Sequence, residues 1–117
     1  MESLPEKFPS LTRAQLHILL ALAGGERHGY AIMREVGAET GGQMKLGPGT
    51  LYGAIKTLLE ARFIVETEPR IDPEMDDERR RYYKLSDLGR RVLKVEMRGL
   101  AEIVKLGRER RILAPAH

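Results

Sequence analysis

Glycines divide the N-terminal half of this chain into short stretches. Two glycine pairs, Gly24-Gly25 and Gly41-Gly42, are followed by the triplet Gly47-Pro48-Gly49. Glycine commonly follows the end of a helix, and proline is tolerated at the first helical position because its missing amide has no partner there. The spacing therefore predicts three compact helices in place of one long helix.

The first two helices carry local signals at their ends. Thr12 and Gln15 have the spacing of a capping box, which places the start of the first helix at Thr12. Apolar residues then recur at spacings of three and four up to Ala23. A second helix is predicted from His28 to about Thr40, where the next glycine pair stops it.

The third helix begins at the Gly-Pro-Gly triplet and has two contrasting faces. At 100° per residue one stripe is apolar, and the opposite face is small, polar and cationic, with no acid before Glu60. That face is either an ordinary wet surface or one suited to close approach of a polyanion. The apolar stripe consists of Leu51, Ile55, Leu58 and Leu59, and the polar face of Thr50, Gly53, Lys56 and Thr57, with Tyr52 on its flank.

Two β-prone segments follow, at residues 63–68 and 80–85, separated by a turn-rich acidic stretch. They predict a two-stranded hairpin with a long tip. Strand alternation directs Tyr83 and Leu85 to the core, and Arg80, Tyr82 and Lys84 to the other face. Four positive charges and no negative ones lie between Arg79 and Lys84, so the small net charge of +3 is focused in this segment.

The last helix is predicted to begin at Ser86 and Asp87 and to run to about Arg111. It carries two apolar rows, more than one small domain needs to cover. The surplus predicts a partner helix, most simply from a second copy of the chain. The row expected to form the dimer contact consists of Leu93, Met97, Leu100 and Val104, and the other row of Leu88, Val92, Val95, Ile103 and Leu106.

The order helix, helix, helix, hairpin, helix is typical of a winged helix-turn-helix. We therefore predict a mainly α-helical fold with a small β-hairpin. Residues 1–86 are expected to form a DNA-binding domain with its wing at about 63–85, and residues 87–113 a C-terminal dimerisation helix.

No residue pattern indicates a metal or cofactor site. The chain has no cysteine, and its three histidines, His17, His28 and His117, lack metal-ligand spacing. Acids at alternate positions in 72–76 resemble the start of a calcium loop, but the required glycine and distal glutamate are missing. We assign no metal and no cofactor, and interpret these acids as a wing tip that pairs with neighbouring arginines.

Enzymatic activity and membrane insertion are not expected either. The serines sit at a terminus or a helix start, without an elbow motif or a plausible triad order. The glycine-rich start of the third helix lacks the Gly-Lys pair of an ATP-binding loop. The uncharged run from Leu16 to Gly25 is only ten residues long, too short to cross a bilayer. We expect a cytoplasmic protein that is associated with the nucleoid when bound to DNA.

Three short motifs, "HGYAI", "GTLY" and "RRYY", at their separations within residues 11–93, resemble the PadR family of bacterial transcriptional regulators. The resemblance implies a homodimer that binds an inverted-repeat operator, usually as a repressor, and in many members releases DNA when a small ligand binds near the dimer interface. The chain is similar to the shorter members, with one C-terminal helix, and it lacks the tryptophan on which some members stack planar ligands. By position, the resemblance implies DNA contacts from Tyr30 on the supporting helix, from Thr50, Tyr52 and Lys56 on the recognition helix, and from Arg79, Arg80 and Arg81 in the wing.

The sequence thus predicts a transcriptional regulator that binds duplex operator DNA as a homodimer. Two alternatives remain open, a winged-helix module that binds protein, and a binder of RNA or single-stranded DNA. The first would be expected to show an uncharged wing and an apolar exposed face on the third helix, and neither is present. Competition between duplex and single-stranded DNA separates the second.

Overall fold

A computed structural model describes residues 10–71 and 79–115. Within these ranges the chain forms four helices and three strands, which confirms the predicted mainly helical class with a small β-structure. In chain order the elements are α1 (Arg13–Ala23), β1 (Arg27–His28), α2 (Gly29–Glu39), α3 (Pro48–Glu60), β2 (Ile64–Ile71), β3 (Arg79–Leu85) and α4 (Asp87–Glu109).

The helices begin where the local signals placed them. The Thr12 side chain accepts a hydrogen bond from the backbone N–H of Gln15 at 3.1 Å, and the Gln15 side chain accepts one from the N–H of Thr12 at 2.9 Å. Gly47 caps α3 and Pro48 is its first residue. The Ser86 hydroxyl accepts a hydrogen bond from Gly89 N–H at 2.9 Å and caps α4. The side chains of Thr12 and Ser86 each satisfy an amide that has no partner inside its helix, whereas Gly47 has no side chain to do so.

The sheet contains the predicted hairpin, formed by β2 and β3, and a third strand that was not predicted. β3 lies in the middle, in the order β1-β3-β2, and both pairings are antiparallel. The added strand contains only Arg27 and His28, which pair with Tyr83 and Tyr82. A strand of two residues is too short to show an alternation of apolar and polar side chains, so it could not be recognised from the sequence.

The core is aliphatic and forms where α1, α2 and α3 pack on the sheet and on the start of α4. Tyr83 is buried in it, as predicted. Tyr82 was expected to face outward, but it is only 9% exposed. The Arg70 guanidinium covers its ring at 3.8 Å from the centroid, and the His28 ring meets its edge at 5.3 Å. The largest fully buried side chains are Ile18, Leu19, Ile32, Leu51, Leu58, Ile64, Val36 and Val92.

The first turn of α4 crosses the start of β2 at very close range. Ser86 N–H donates a hydrogen bond to the Phe63 carbonyl at 3.1 Å, and the Ser86 hydroxyl donates one to the Arg62 carbonyl at 2.6 Å. A Cβ atom on Gly89 would lie 1.8 Å from the Phe63 oxygen. Only glycine therefore fits at this crossing, which fixes α4 to the end of α3 and the base of the wing.

We predict that Gly89→Ala destabilises the fold by about 1–3 kcal/mol, since the added methyl overlaps a backbone carbonyl that cannot move freely. Urea denaturation followed by circular dichroism measures the change. Gly99→Ala is the matched control on the same helix, because a Cβ atom there meets nothing within 4 Å. That variant should gain about 0.5–1 kcal/mol from helix propensity. Equal stability of the two variants would contradict the close approach of Gly89 to the Phe63 carbonyl.

Candidate nucleic-acid interface

The exposed face of α3 is small and polar, as the sequence indicated. Burial of Leu51, Ile55 and Leu58 leaves Thr50 and Lys56 in solvent, and Tyr52 is 50% exposed. The first turn of the helix contains no acid. Among residues 10–71 and 79–115, Lys56 forms no ion pair. Its ammonium is therefore available to an anionic partner.

A cleft of about 200 Å³ opens where the start of α2, the side of α3 and strand β3 meet. Four of the seven residues predicted to contact DNA line it, although they come from three elements. Arginine and tyrosine side chains at such a cleft offer charged and neutral hydrogen-bond donors to an anion. The lining residues are His28, Gly29, Tyr30, Tyr52, Arg80, Arg81 and Tyr83.

Tyr52 forms one wall of this cleft by lying against the backbone of α2. A Cβ atom on Gly29 would come within 2.6 Å of the Tyr52 hydroxyl and 3.0 Å of the ring. Gly29 is buried at the first position of α2. A larger residue at position 29 would displace the Tyr52 ring, so Gly29 allows α2 and α3 to pack closely at the cleft.

The wing arginines differ in their surroundings. Arg81 is exposed, and its Nε lies 3.5 Å from a carboxylate oxygen of Glu66 on the neighbouring strand. Arg80 is half-buried and lines the cleft. Arg79 begins β3. The predicted acidic tip at 72–78 lies outside the described residues.

Tyr30 projects from the first turn of α2 and is 42% exposed. The Arg34 guanidinium lies 5.2 Å from the centroid of its ring, in a cation–π contact one helical turn further on. Arg34 is exposed and adds a cation beside the cleft. Arg34 is not among the residues predicted to contact DNA, although its i, i+4 spacing from Tyr30 places the two side chains together on one face of a helix.

A sequence model of the transcriptional regulator PadR-like family matches residues 18–95, about two thirds of the chain. This protein belongs to the PadR-like family. The assignment confirms the resemblance that the motifs indicated. The family's members are described as transcriptional regulators.

Solved structures of PadR regulators share the fold. A PadR family transcription regulator from Clostridium difficile is 22% identical, covers 84% of this chain and 97% of its own, and superposes with a TM-score of 0.66. Bacillus subtilis PadR in complex with operator DNA is 25% identical, covers 71% of this chain and 46% of its own, with a TM-score of 0.60. These similarities confirm the winged-helix architecture.

A curated relative is an uncharacterized 37.1 kDa protein in transposon TN4556 of Streptomyces fradiae. It is 36% identical over 90 residues, which are 77% of this chain and 24% of the relative. The chain thus spans about a quarter of the length of the curated relative it matches.

In this PadR-like protein, α4 divides the predicted apolar row between two environments. Leu93 is 6% exposed and belongs to the core, so the single chain leaves little of its surface for a second copy to contact. Its side chain is already covered where α4 packs on the winged helix. Further along, Met97 and Val104 are exposed and Leu100 is half-buried. Exposed apolar side chains of the other row accompany them, namely Val95, Ile103 and Leu106.

Within the described parts of this PadR-like chain, no group of three or more histidine, cysteine or acidic side chains is placed to hold a metal ion. None of the helices in these described parts is long and apolar enough to cross a membrane. His17 is half-buried, with its Nδ1 3.4 Å from a Glu39 carboxylate oxygen.

Tyr83 has a distinct acid–base environment at the cleft. Burial raises the pKa of its hydroxyl, and the carboxylate of Glu66 adds to this effect because a second negative charge nearby is unfavourable. The neutral hydroxyl is thereby favoured in the folded protein.

We predict that the Tyr83 hydroxyl ionises at a higher pH than that of an ordinary tyrosine, whose pKa is about 10. Because its pKa is raised by folding, its contribution to stability is complete below the unfolded pKa and is lost as the pH rises through the folded pKa. Ultraviolet titration of tyrosinate should lose its highest-pH component in Tyr83→Phe. The control Tyr30→Phe should retain it. A titration curve of unchanged shape in Tyr83→Phe would show that this hydroxyl is not shielded.

Proposed function

We propose that this PadR-like protein is a homodimeric repressor that binds a pseudo-palindromic operator in duplex DNA. The observation that carries the proposal is the cleft that joins Tyr30, Tyr52, Arg80 and Arg81 beside the acid-free start of α3. The structural likeness to a PadR protein in complex with operator DNA supports it. Regulation of its genes then follows from occupancy of the operator.

The recognition helix in this proposal is α3, whose exposed face enters the major groove. Thr50 and Lys56 reach base edges or phosphates, while the buried stripe holds the helix against the core. Gly49 and Gly53 add no side-chain bulk, and a Cβ atom at either would meet nothing within 4 Å. The start of the helix can therefore approach a groove wall closely.

The wing supplies contacts outside the major groove. In this proposal Arg79, Arg80 and Arg81 hold the flanking backbone or the minor groove, where arginine side chains bind phosphates or narrow grooves. The ion pair between Arg81 and Glu66 does not prevent this, because exposed pairs typically contribute only about 0–1 kcal/mol. A DNA phosphate offers Arg81 an alternative anion with a stronger local field.

We predict that Lys56→Ala weakens operator binding about tenfold and lowers the salt slope of the affinity by about 1 if the ammonium contacts a phosphate. Fluorescence anisotropy with the duplex upstream of the protein's own gene, at several salt concentrations, measures both quantities. The control Lys105→Ala removes an exposed lysine from the distal part of α4. Wild-type affinity in Lys56→Ala would remove this residue from the interface.

The same titration tests the proposal as a whole. The wild-type protein should prefer the duplex to either single strand of the same sequence and to RNA. Equal binding to single strands would favour the alternative of a single-strand or RNA binder. No binding to any nucleic acid would favour a protein-interaction module.

We also propose that residues 87–113 act as the dimerisation helix. The exposed part of the predicted row, Met97, Leu100 and Val104, would pack against the same row of a second copy. Burial of this row would remove apolar side chains from water that the single chain leaves in solvent. Two recognition helices on one face of DNA would then read half-sites about 10 base pairs, or a multiple, apart.

For this interface we predict that Val104→Glu produces monomers, because a charge would be buried without a partner at the dimer contact. Sedimentation velocity measures the change. Arg98→Glu is the control, since it places an acid at an exposed position of α4 that lies about 100° or more around the helix from Met97, Leu100 and Val104. A dimeric Val104→Glu protein would place the interface elsewhere.

A small-molecule effector would act through this dimer. A ligand bound between the two α4 helices that favours one helix angle would change the spacing of the recognition helices and hence the affinity for DNA. The chain has no tryptophan, so a planar ligand would have to use aliphatic contacts from the exposed apolar residues.

A further inference from the structure

The base of the wing is tied to the body of the domain by one carboxylate. Glu26, in the turn between α1 and β1, accepts a hydrogen bond from the Thr67 hydroxyl on β2. The same Glu26 oxygen lies 2.7 Å from Nη1 of Arg70, also on β2. A single side chain from the turn thus holds two positions of the outer wing strand. We refer to Glu26, Thr67 and Arg70 as the wing anchor.

The wing anchor continues inward through aromatic contacts. The Arg70 guanidinium lies over the Tyr82 ring at 3.8 Å from its centroid. The Tyr82 ring in turn meets His28 edge-on, at 5.3 Å between centroids and 80° between planes. His28 caps α2 by accepting the Ala31 N–H at 3.1 Å. Arg70 is therefore connected to the start of the supporting helix.

The position of the wing anchor along the hairpin explains why the hairpin needs it. The β2–β3 pairing is regular from Ile64 to Thr67, shifts register between Thr67 and Arg70, and resumes with Arg70 opposite Arg80. A register shift bends a strand and increases its local twist. The direction of the wing beyond this point depends on what fixes the strand at the shift, and Thr67 and Arg70 are the residues on either side of it.

The electrostatics agree with an anchored pair. The pKa of Glu26 is lowered, first by the hydrogen bond from Thr67 and then by the one from Arg70, so its carboxylate stays ionised. The pKa of Arg70 is raised by the same partner. The charge of Arg70 is thus directed at Glu26 at 2.7 Å, with its side chain 49% exposed, whereas Arg81 lies 3.5 Å from Glu66 with its side chain 75% exposed.

We propose that Glu26 and Arg70 set the direction of the wing, and that Arg70 is a positioning residue for DNA binding and not a DNA contact. This inference rests on the proposed function, because it concerns how the wing is presented to an operator. A simple count of basic residues in the wing would instead treat Arg70 as a DNA contact.

Substitution of the acid distinguishes the two roles of Arg70. If Arg70 contacts DNA, Glu26→Gln releases it and also removes a negative charge, so affinity should stay the same or rise. If Arg70 is an anchor, Glu26→Gln should weaken operator binding as Arg70→Ala does, each by about fivefold, the scale of one surface ion pair. The double variant should be no weaker than either single variant, since both remove the same interaction.

The controls use the same strand. Glu68→Gln removes an exposed acid of β2 that forms no ion pair within the described residues, and its affinity should equal or exceed that of the wild type. Arg70→Lys keeps the charge and should recover part of the loss. Footprinting should show reduced protection where the wing meets DNA, with protection in the major groove unchanged in both Glu26→Gln and Arg70→Ala.

Hydrogen exchange without DNA tests the wing anchor independently of the proposed function. Amides of residues 64–71 should exchange faster in both Glu26→Gln and Arg70→Ala than in the wild type or Glu68→Gln. Unchanged exchange, or a Glu26→Gln protein that binds as tightly as the wild type, would overturn the inference. Failure of the wild type to bind duplex DNA would instead overturn the proposed function. The hydrogen-exchange result would then still show whether Glu26 and Arg70 hold the wing strand in place.

Discussion

His28 is the residue on which the arrangement of the domain depends. Its backbone pairs with Tyr82 in the sheet, its ring caps α2, and the same ring packs against the edge of Tyr82. Because one buried residue serves the sheet and the helix, the start of α2 has a fixed position relative to β3. Tyr30 follows two residues later and is thereby brought to the cleft that Arg80 and Arg81 line. A polar residue buried to this degree requires hydrogen bonding, and the α2 cap provides it.

The parts of the fold that the sequence predicted correctly are those set by local chemistry. Thr12 with Gln15, Gly47 with Pro48, and Ser86 each fix a helix start through groups a few residues away. The parts it did not predict depend on residues far apart in the chain. Strand β1 pairs with an edge of β3, and Tyr82 is covered by Arg70 on β2 and by His28 on β1. Strand alternation correctly separated Tyr83 from Tyr82, but it could not show that both faces of β3 are covered.

The candidate interface was predictable in outline for the same reason. Helix periodicity identified Thr50 and Lys56 as exposed, and the charge run identified the wing. The sequence could not show which cations already have partners. Lys56 forms no ion pair within the described residues, Arg81 has a weak one, and Arg70 is held by Glu26. An electrostatic surface is determined by such pairings more than by a net charge of +3, since a paired cation attracts a polyanion less strongly.

The contact at Gly89 joins the two halves of the proposed mechanism. The Phe63 carbonyl, which follows α3, lies where any larger side chain on α4 would stand, so the two helices cannot slide past each other there. Val92 and Leu93 extend this contact into the core, while the exposed residues from Met97 onward lie beyond it. In the proposed dimer, a change in the angle between two α4 helices would therefore be transmitted to α3 as a rigid-body movement. A packed crossing that admits only glycine transmits such a movement better than a flexible linker would, because packed interiors resist compression.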